Sequence, residues 1–264
     1  MNQLLPWQDF AAPSPKRDGD GKFVDSVLIR KLRNFGPLSD QDKHILSSLI
    51  VDTQDIAARE DIVCEGDQPT HSCVLLEGFA CRYKMTADGQ RQILAFQFPG
   101  DISDLYSFVL KVMDHSIGAL TDCHLGIIPH AKLQDITANY PHLTRLLWRD
   151  TLADSSKFRE WMVGIGRRSA QARVAHLLCE MLIRCKAVGL CEGYSYELPV
   201  TQSDLADCLG MSLVHINRIL QRLRAEGLIA LANGTVTIQD WQRLSELAGF
   251  DAAYMHFANH HLFA

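Results

Sequence analysis

The 264-residue sequence lacks the segments that would carry the chain into or across a membrane. No apolar run approaches the roughly 20 residues that a membrane-spanning helix requires. The first residues, MNQLLPWQDFAAPSPKRDGDGK, have no basic start followed by an apolar stretch, so they do not match a signal peptide. The eight cysteines form no C-x-x-C pair and match no zinc or iron–sulfur spacing, which favours reduced, packed thiols. We therefore expect a cytoplasmic protein without a membrane partner.

The sequence also has little that indicates catalysis. It contains no nucleophile elbow, no phosphate-binding loop and no zinc deaminase or metalloprotease signature. We therefore predict neither an enzyme nor a bound cofactor or metal. Two alternatives stay open. His115, His124 or a cysteine could ligate a haem iron, and the chain could be a small-molecule-binding β-barrel with an incidental helical tail.

Positive charge is scarce and unevenly distributed. The net charge of −5 argues against a strongly basic nucleic-acid binder. Residues 1–140 hold 13 Lys and Arg against 19 Asp and Glu, a net of −6, whereas residues 165–232 hold 8 against 6, a net of +2. If the chain contacts nucleic acid, the second of these segments is the expected place.

The first half of the chain has the patterns of an antiparallel β domain. Residues 1–24 are predicted to be a flexible leader, because Pro, Asp, Gly and Lys dominate their second half. Helical periodicity follows over 25–50, where Ser39 is a suitable N-cap. Short β-type runs separated by glycine then continue to about residue 130, and TADGQ carries a hairpin-type Asp-Gly turn. The predicted fold class is α+β, and the strand pattern favours an antiparallel β sandwich or barrel in this first half.

A long helix is predicted over residues 141–166, between two differently built regions. Pro141 suits its first turn, and Gly164 and Gly166 are expected to end it at a hinge. A helix of about 24 residues extends about 36 Å, which is long for a globular core. We therefore predict that it packs against its twin in a homodimer. The residues predicted for this interface are Leu143, Leu147, Thr151, Phe158, Met162 and Ile165.

The stretch TQSDLADCLGMSLVHINRILQRLRAEGLIAL, residues 201–231, has the signals of a helix–turn–helix. Thr201 and Asp204 form a capping box, Gly210 suits a left-handed turn, and Ser212 caps the second helix. An Asn-Gly turn in the following LIALANGTVTI predicts a two-stranded wing. Two short helices about a glycine turn can direct the N-terminal half of the second into a major groove.

The outward face of that second helix predicts contacts with DNA. Arginine pairs bidentately with guanine and asparagine with adenine, while the first-turn N–H groups can hold phosphates. Leu213 and Val214 are apolar residues on this face, and a thymine methyl is their natural partner. The predicted DNA-binding residues are Thr201, Ser203, Ser212, Val214, His215, Asn217, Arg218 and Arg222.

Over about residues 25–235 the chain resembles the bacterial Crp/Fnr transcription regulators. The resemblance rests on the glycine-punctuated roll, on FPGDISDLYSF, on the long helix after YPHL, and on TQSDLADCLGMSLVHINRILQRLRAEGLI, the most specific of these. It implies an antiparallel, cyclic-nucleotide-binding-like β-roll as sensor domain over 25–140. It also implies a homodimer that binds an inverted repeat in promoter DNA and works with RNA polymerase. By this resemblance Val214, His215 and Arg218 occupy the main base-reading positions. Only Arg218 keeps the common side chain, since many members carry Arg and Glu where this chain has Leu213 and Val214.

The resemblance also supplies an expectation for the sensor domain. Cyclic-AMP-binding members use a Glu for the ribose and an Arg-Ser pair for the phosphate, where this chain has Asp104 and His115-Ser116. Losing the arginine removes the permanent partner of an anion, and a neutral histidine is a poor substitute near pH 7. The adenine-contacting stretch departs as well, with Phe158 and Arg159. We therefore predict that cyclic AMP does not control the protein. A regulator of the same fold that is gated by a cyclic nucleotide, haem or redox remains the alternative.

The C-terminal domain, residues 167–264, carries further candidates. Ser169 is predicted to cap its first helix, and a helical extension is expected from Asp240 to Gly249. Oxidation of Cys208 could disturb DNA binding, although a small packing residue is the simpler interpretation. Three tail histidines could bind a metal, although a frayed polar terminus is simpler: His256, His260 and His261.

Overall fold

The structure is a computed structural model that describes residues 26–232 and 234–258. The predicted leader and two of the tail histidines, His260 and His261, lie outside the described residues. The elements up to residue 139 are α1 (Val27–Arg33), α2 (Asp40–Leu49), β1 (Asp52–Ile56), β2 (Asp61–Val63), β3 (His71–Glu77), β4 (Ala80–Met85), β5 (Arg91–Gln97), α3 (Ser107–Leu110), β6 (Ser116–Ala119), β7 (Cys123–Pro129) and α4 (His130–Asn139). The elements that follow are α5 (Pro141–Arg167), α6 (Ala170–Val188), β8 (Cys191–Glu192), β9 (Ser195–Glu197), α7 (Gln202–Leu209), α8 (Leu213–Ala225), β10 (Ile229–Ala232), β11 (Thr235–Ile238), α9 (Trp241–Ala248) and a 3₁₀ turn (Ala252–Met255).

The first domain is an antiparallel roll, as the family resemblance implies, and it is built from the short, glycine-separated strands that the sequence predicts. One sheet has the strand order β1-β7-β3 and the other β2-β6-β4-β5, and every pair within them is antiparallel. The predicted turn joins β4 to β5, where Thr86 N donates to Gln90 O over 2.9 Å and Gly89 adopts a φ of 82°. A φ of this sign is accessible to glycine at little cost, so the Asp-Gly pair directs the hairpin.

Helix starts follow the predicted N-caps closely. The side chains of Ser39, Ser169, Thr201, Ser212 and Asp240 each accept a hydrogen bond from a backbone N–H of the helix that follows. Each of these bonds satisfies an N–H that has no partner inside its helix. All five predicted starts are therefore confirmed.

Helix α5 is longer than predicted. It spans 27 residues, and it runs through both Gly164 and Gly166 to Arg167. The prediction that the two glycines end the helix is wrong. A glycine costs a helix about 1 kcal/mol relative to alanine, an amount that the hydrogen bonds and packing of a long helix outweigh. The chain turns instead at Arg168, whose backbone is extended and whose N–H donates to Gly164 O over 3.2 Å.

The winged sheet is wider than the two-stranded wing predicted from its Asn-Gly turn. Strands β10 and β11 pair as expected, and β9 and β8 extend the sheet in the order β10-β11-β9-β8. Tyr196 of β9 is buried, and its hydroxyl donates to Leu178 O of α6 over 3.0 Å. The added strands therefore fasten the wing to the first helix of its domain.

Within the described ranges, no helix has the length and apolarity that crossing a membrane would demand.

The two domains share one apolar core. Ile93 and Phe96 of β5 belong to the same buried cluster as Leu178 of α6 and Leu205 of α7. One face of the sheet that contains β5 is thus covered by the C-terminal domain and not by solvent. Burial of this kind is the main favourable contribution to packing two elements together.

A buried ionic cluster lies beside this core. Lys31 Nζ of α1 is 2.7 Å from Asp101 Oδ1 and 2.7 Å from Asp150 Oδ1 of α5. Arg184 Nη2 of α6 reaches Asp101 Oδ2 over 3.0 Å. The cluster therefore ties the N-terminal domain, the long helix and the C-terminal domain to one another through paired charges.

Candidate DNA-binding helix and sensor cavity

The turn between α7 and α8 has the geometry that its sequence predicts. In the capping box, Thr201 Oγ1 accepts from Asp204 N over 3.1 Å, and Asp204 Oδ2 accepts from Thr201 N over 2.8 Å. Gly210 ends α7 with a φ of 61°, and Ser212 Oγ accepts from His215 N over 3.3 Å to start α8. Three residues, 210–212, therefore separate the two helices.

Helix α8 divides cleanly into a buried and an exposed face. Its apolar residues Ile216, Ile219, Leu220 and Leu223 are buried in the shared core. Leu213 and Val214 are the exceptions, at 50% and 69% exposed. The outward side chains at its start and along it are those of Ser212, Leu213, Val214, His215, Asn217, Arg218 and Arg222.

The other residues predicted to contact DNA lie at the start of α7 and near the end of α8. Thr201 and Ser203 are exposed at the start of α7. Arg222 is exposed on the last turns of α8, where its Nε donates to Glu226 Oε1 over 2.8 Å. The structure thus brings all eight predicted side chains to the surface of the helix–turn–helix, and it gives Arg222 an acidic partner.

The outer face of α5 is apolar, and it overlaps only in part with the face predicted. Leu143 and Leu147 are buried in the core of their own sensor domain, so they cannot contact a partner and their prediction as interface residues is corrected. Thr151, Phe158, Met162 and Ile165 are exposed as expected. The helix has two apolar faces, and its sequence period does not say which one its own domain covers. The residues missed are Trp148, Leu152 and Val163, exposed by 67%, 62% and 49%.

A cavity of about 240 Å³ lies between the roll and α5. Arg82 of β4 and Tyr106 face it from the roll, and Phe158 faces it from α5. Arg82 Nη1 donates to Asp154 Oδ2 over 3.1 Å, and Arg82 Nε donates to Ser103 O over 3.0 Å. The cavity therefore combines an aromatic wall with an arginine that already has partners.

Comparison with known proteins identifies the relatives of this fold. Residues 53–140 match the cyclic nucleotide-binding domain, and residues 172–247 match the Crp-like helix-turn-helix domain. The transcriptional activator protein FnrL of Cereibacter sphaeroides is 28% identical over 199 residues, covering 74% of this chain and 79% of that protein. The nitrogen fixation regulation protein FixK of Bradyrhizobium diazoefficiens is 31% identical over 197 residues, covering 72% and 78%.

The chain belongs to the Crp/Fnr family of transcription regulators. A solved relative, FixK2 from Bradyrhizobium japonicum, superposes with a TM-score of 0.67 at 25% identity, covering 76% of this chain and 98% of that one. The resemblance seen in the sequence is thereby confirmed. This member is a DNA-binding transcription regulator built from a cyclic-nucleotide-binding-like roll, a long helix and a winged helix–turn–helix.

In this Crp/Fnr regulator, only two of the five predicted pocket residues line the cavity. They are His115 and Phe158. Asp104 instead accepts from Cys73 N over 2.8 Å, and Ser116 Oγ accepts from Glu65 N over 2.9 Å. Arg159 donates to Ser156 Oγ over 2.7 Å. The other three predicted side chains are therefore engaged with neighbouring backbone or helix groups.

The pKa values of two groups at the cavity are shifted by burial and by neighbouring charges. Burial disfavours the charge of Asp154, yet the ammonium of Lys157 and the guanidinium of Arg82 hold the pKa of that carboxyl below its ordinary value. Burial and the nearby Arg82 lower the pKa of His115, whose Nε2 lies 2.7 Å from Tyr106 Oη. The residues that sequence reasoning missed, Arg82 and Asp154, belong to elements 72 positions apart. No local pattern could have paired them.

The cysteine considered for redox sensing is buried, and the two histidines considered for haem ligation each lie beside an aspartate. Cys208 is 1% exposed, and burial raises the pKa of its thiol well above the ordinary value. A buried thiol of this kind is protected from oxidation, which favours its interpretation as a packing residue. His124 Nδ1 lies 2.7 Å from Asp55 Oδ1, and His115 Nδ1 lies 2.8 Å from Asp114 Oδ1.

Proposed function

We propose that this regulator is a homodimer that reads an inverted repeat in promoter DNA through α8 and that cyclic AMP does not control it. The observation that carries the proposal is the solvent-exposed start of α8. Polar and apolar side chains of the types that read base edges project from this start. If the protein binds promoter DNA, it acts in the cytoplasm, and RNA polymerase is its expected partner in regulation. The proposal assigns the protein no catalytic activity.

Arg218 is the residue whose loss tests the reading of bases. Selection from random duplex DNA would define the site, and fluorescence anisotropy would measure its Kd across a series of salt concentrations. We expect affinity to fall steeply with salt and Arg218→Ala to abolish specific binding. Arg224→Ala is the matched control, because Arg224 is exposed on the same helix but lies about 240° around the helix axis from Arg218. Specific binding that survives in Arg218→Ala removes Arg218 from the reading face.

Exposed apolar side chains on α5 support the dimer. Trp148, Leu152 and Met162 are 67%, 62% and 74% exposed and lie within one stripe of the helix. A stripe of this kind on a single copy is typical of a surface that another chain covers. We expect Leu152→Asp to give monomers in analytical ultracentrifugation. Val109→Asp, on a residue of the short helix α3 that is 68% exposed, is the matched control and should stay dimeric.

Independence from cyclic AMP is supported by the charges of the cavity. A cyclic phosphate needs a free cation, but the guanidinium of Arg82 already pairs with Asp154. His115 offers little positive charge near pH 7, because burial lowers its pKa. We therefore expect the melting temperature of the protein to stay unchanged in about 1 mM cyclic AMP. This is roughly the concentration at which even a weak ligand would raise that temperature. A concentration-dependent rise in that temperature would count against this part of the proposal.

A further inference from the structure

The β4–β5 hairpin of the sensor domain contacts the first helix of the helix–turn–helix. Arg91, the first residue of β5, places Nη2 2.5 Å from Asp204 Oδ1 and donates from Nε to Asp207 Oδ2 over 2.8 Å. Gln92 Nε2 adds a bond to Cys208 O over 3.1 Å. Two adjacent sensor residues therefore bind three positions along α7.

This contact lies over apolar packing, so it is not an isolated surface ion pair. Cys81 and Ile93 of the hairpin share a buried cluster with Leu205 and Cys208 of α7. Arg91 lies at the edge of that cluster with its side chain 26% exposed. A partly buried, two-point arginine contact has better geometry than the exposed pairs that contribute little.

Asp204 connects the contact to the start of α7. Its side chain is 1% exposed, and Oδ2 accepts from Thr201 N over 2.8 Å and from Thr201 Oγ1 over 2.7 Å as part of the capping box. Oδ1 is left for Arg91 and, over 3.2 Å, for Arg59 Nη1. A buried carboxylate without a cation is costly, so the geometry of this helix start depends on sensor-domain arginines.

The opposite strand of the same hairpin reaches the sensor cavity. Arg82, which lines the cavity, is on β4, and the β4–β5 register runs from Ala80↔Gln97 to Met85↔Arg91. One hydrogen-bonded ribbon therefore extends from the cavity wall to α7. This is a contiguous route by which an event in the cavity can alter the helix–turn–helix.

We propose that Arg91 is a positioning residue that fixes α7, and through it the reading helix α8, against the sensor hairpin. The proposal rests on the proposed DNA-binding function and adds a regulatory contact to it. If DNA binding needs the clamped arrangement, apparent affinity falls in proportion to the fraction of molecules that keep it. A variant that keeps the clamp about a tenth of the time binds about tenfold more weakly.

A charge exchange tests this contact. Arg91→Asp sets a third carboxylate beside Asp204 and Asp207, so it should weaken binding to the selected duplex at least tenfold in anisotropy. Adding Asp207→Arg restores an opposite pair and should recover most of the affinity. Lys132→Ala, which removes one positive charge from α4 of the same domain, is the control and should bind like the unaltered protein. Sedimentation should find all variants dimeric.

Hydrogen exchange of the free protein supplies the second readout. Backbone amides of α7 should exchange faster in Arg91→Asp and in the milder Arg91→Met, while those of β3 and β7 stay unchanged. Wild-type or tighter DNA binding by Arg91→Asp overturns the proposal, and so does a loss that Asp207→Arg leaves in place. If the unaltered protein binds no duplex, the proposed DNA-binding function fails. The contact between Arg91 and α7 is tested separately by hydrogen exchange, and it is rejected if exchange of α7 is unchanged in Arg91→Met.

Discussion

Replacing thymine by uracil in the bound DNA removes a single methyl group and tests the apolar start of α8. Leu213 and Val214 leave 50% and 69% of their surfaces in water, at the end of the helix expected to enter the major groove. No segment among residues 26–232 and 234–258 covers the exposed part of these two side chains. We predict that one or both cover a thymine methyl in each half-site.

The size of the effect follows from the area that leaves water. Burying one methyl or methylene group contributes about 0.8 kcal/mol, which corresponds to about a fourfold change in Kd. A dimer on an inverted repeat makes each contact twice. Uracil at the contacted position of both half-sites should therefore cost about 1.6 kcal/mol, or about 15-fold in Kd.

A thymine-to-uracil scan of the selected duplex, measured by fluorescence anisotropy at fixed salt, checks this prediction. Sensitive positions should be few and symmetric, and uracil elsewhere in the duplex should leave Kd within about twofold. In Val214→Ala the effect of uracil at the position that Val214 covers should nearly vanish, because the methyl no longer has an apolar partner. Such coupling between a protein and a DNA change identifies a direct contact.

Two results would refute this reasoning. One is a duplex that binds through Arg218 yet tolerates uracil at every position. The other is a penalty that is equally large in Val214→Ala, since the methyl would then act on DNA shape and not through this side chain.

Three further predictions concern buried polar groups. Lys31→Met should destabilise the fold by about 3–5 kcal/mol in urea unfolding, because it leaves the buried Asp150 carboxylate without its lysine partner and leaves Asp101 paired with Arg184 alone; a loss below about 1 kcal/mol would contradict this. Burial raises the pKa of Asp104 to about 7, so the folded state keeps a proton that the unfolded chain releases near pH 4. The stability of the protein relative to Asp104→Asn should therefore fall as pH rises from about 4 to 7 and then level off, and a pH-independent difference in urea midpoint would be inconsistent with the shift. Tyr254→Phe removes a 2.8 Å bond to Glu180 Oε2 that joins the C-terminal segment to α6, and it should cost about 1–3 kcal/mol; an unchanged Tm would show the bond to be dispensable.

Local chemistry is why so much of this fold could be predicted from its sequence. A cap such as Ser212 acts on an N–H three residues away, and a glycine such as Gly210 or Gly89 relieves strain at its own position. Strand alternation and the capping box of α7 are equally short in range. The order of β domain, long helix and winged helix–turn–helix therefore followed from patterns that each span only a few residues, and the family resemblance identified the β domain as a roll.

Contacts between distant segments were decided by the tertiary structure. The sequence marks α5 as apolar, but only packing against the sensor core turns Leu143 and Leu147 inward and leaves Trp148 and Leu152 outside. Likewise, Arg91 and Asp204 are 113 positions apart, and no periodicity links them. The sequence by itself determined where helices begin, where strands turn and which helix can read DNA, because those depend on neighbouring residues. The partners of each buried charge, the lining of the sensor cavity and the free face of α5 depend on which surfaces meet after folding, and only the structure decided them.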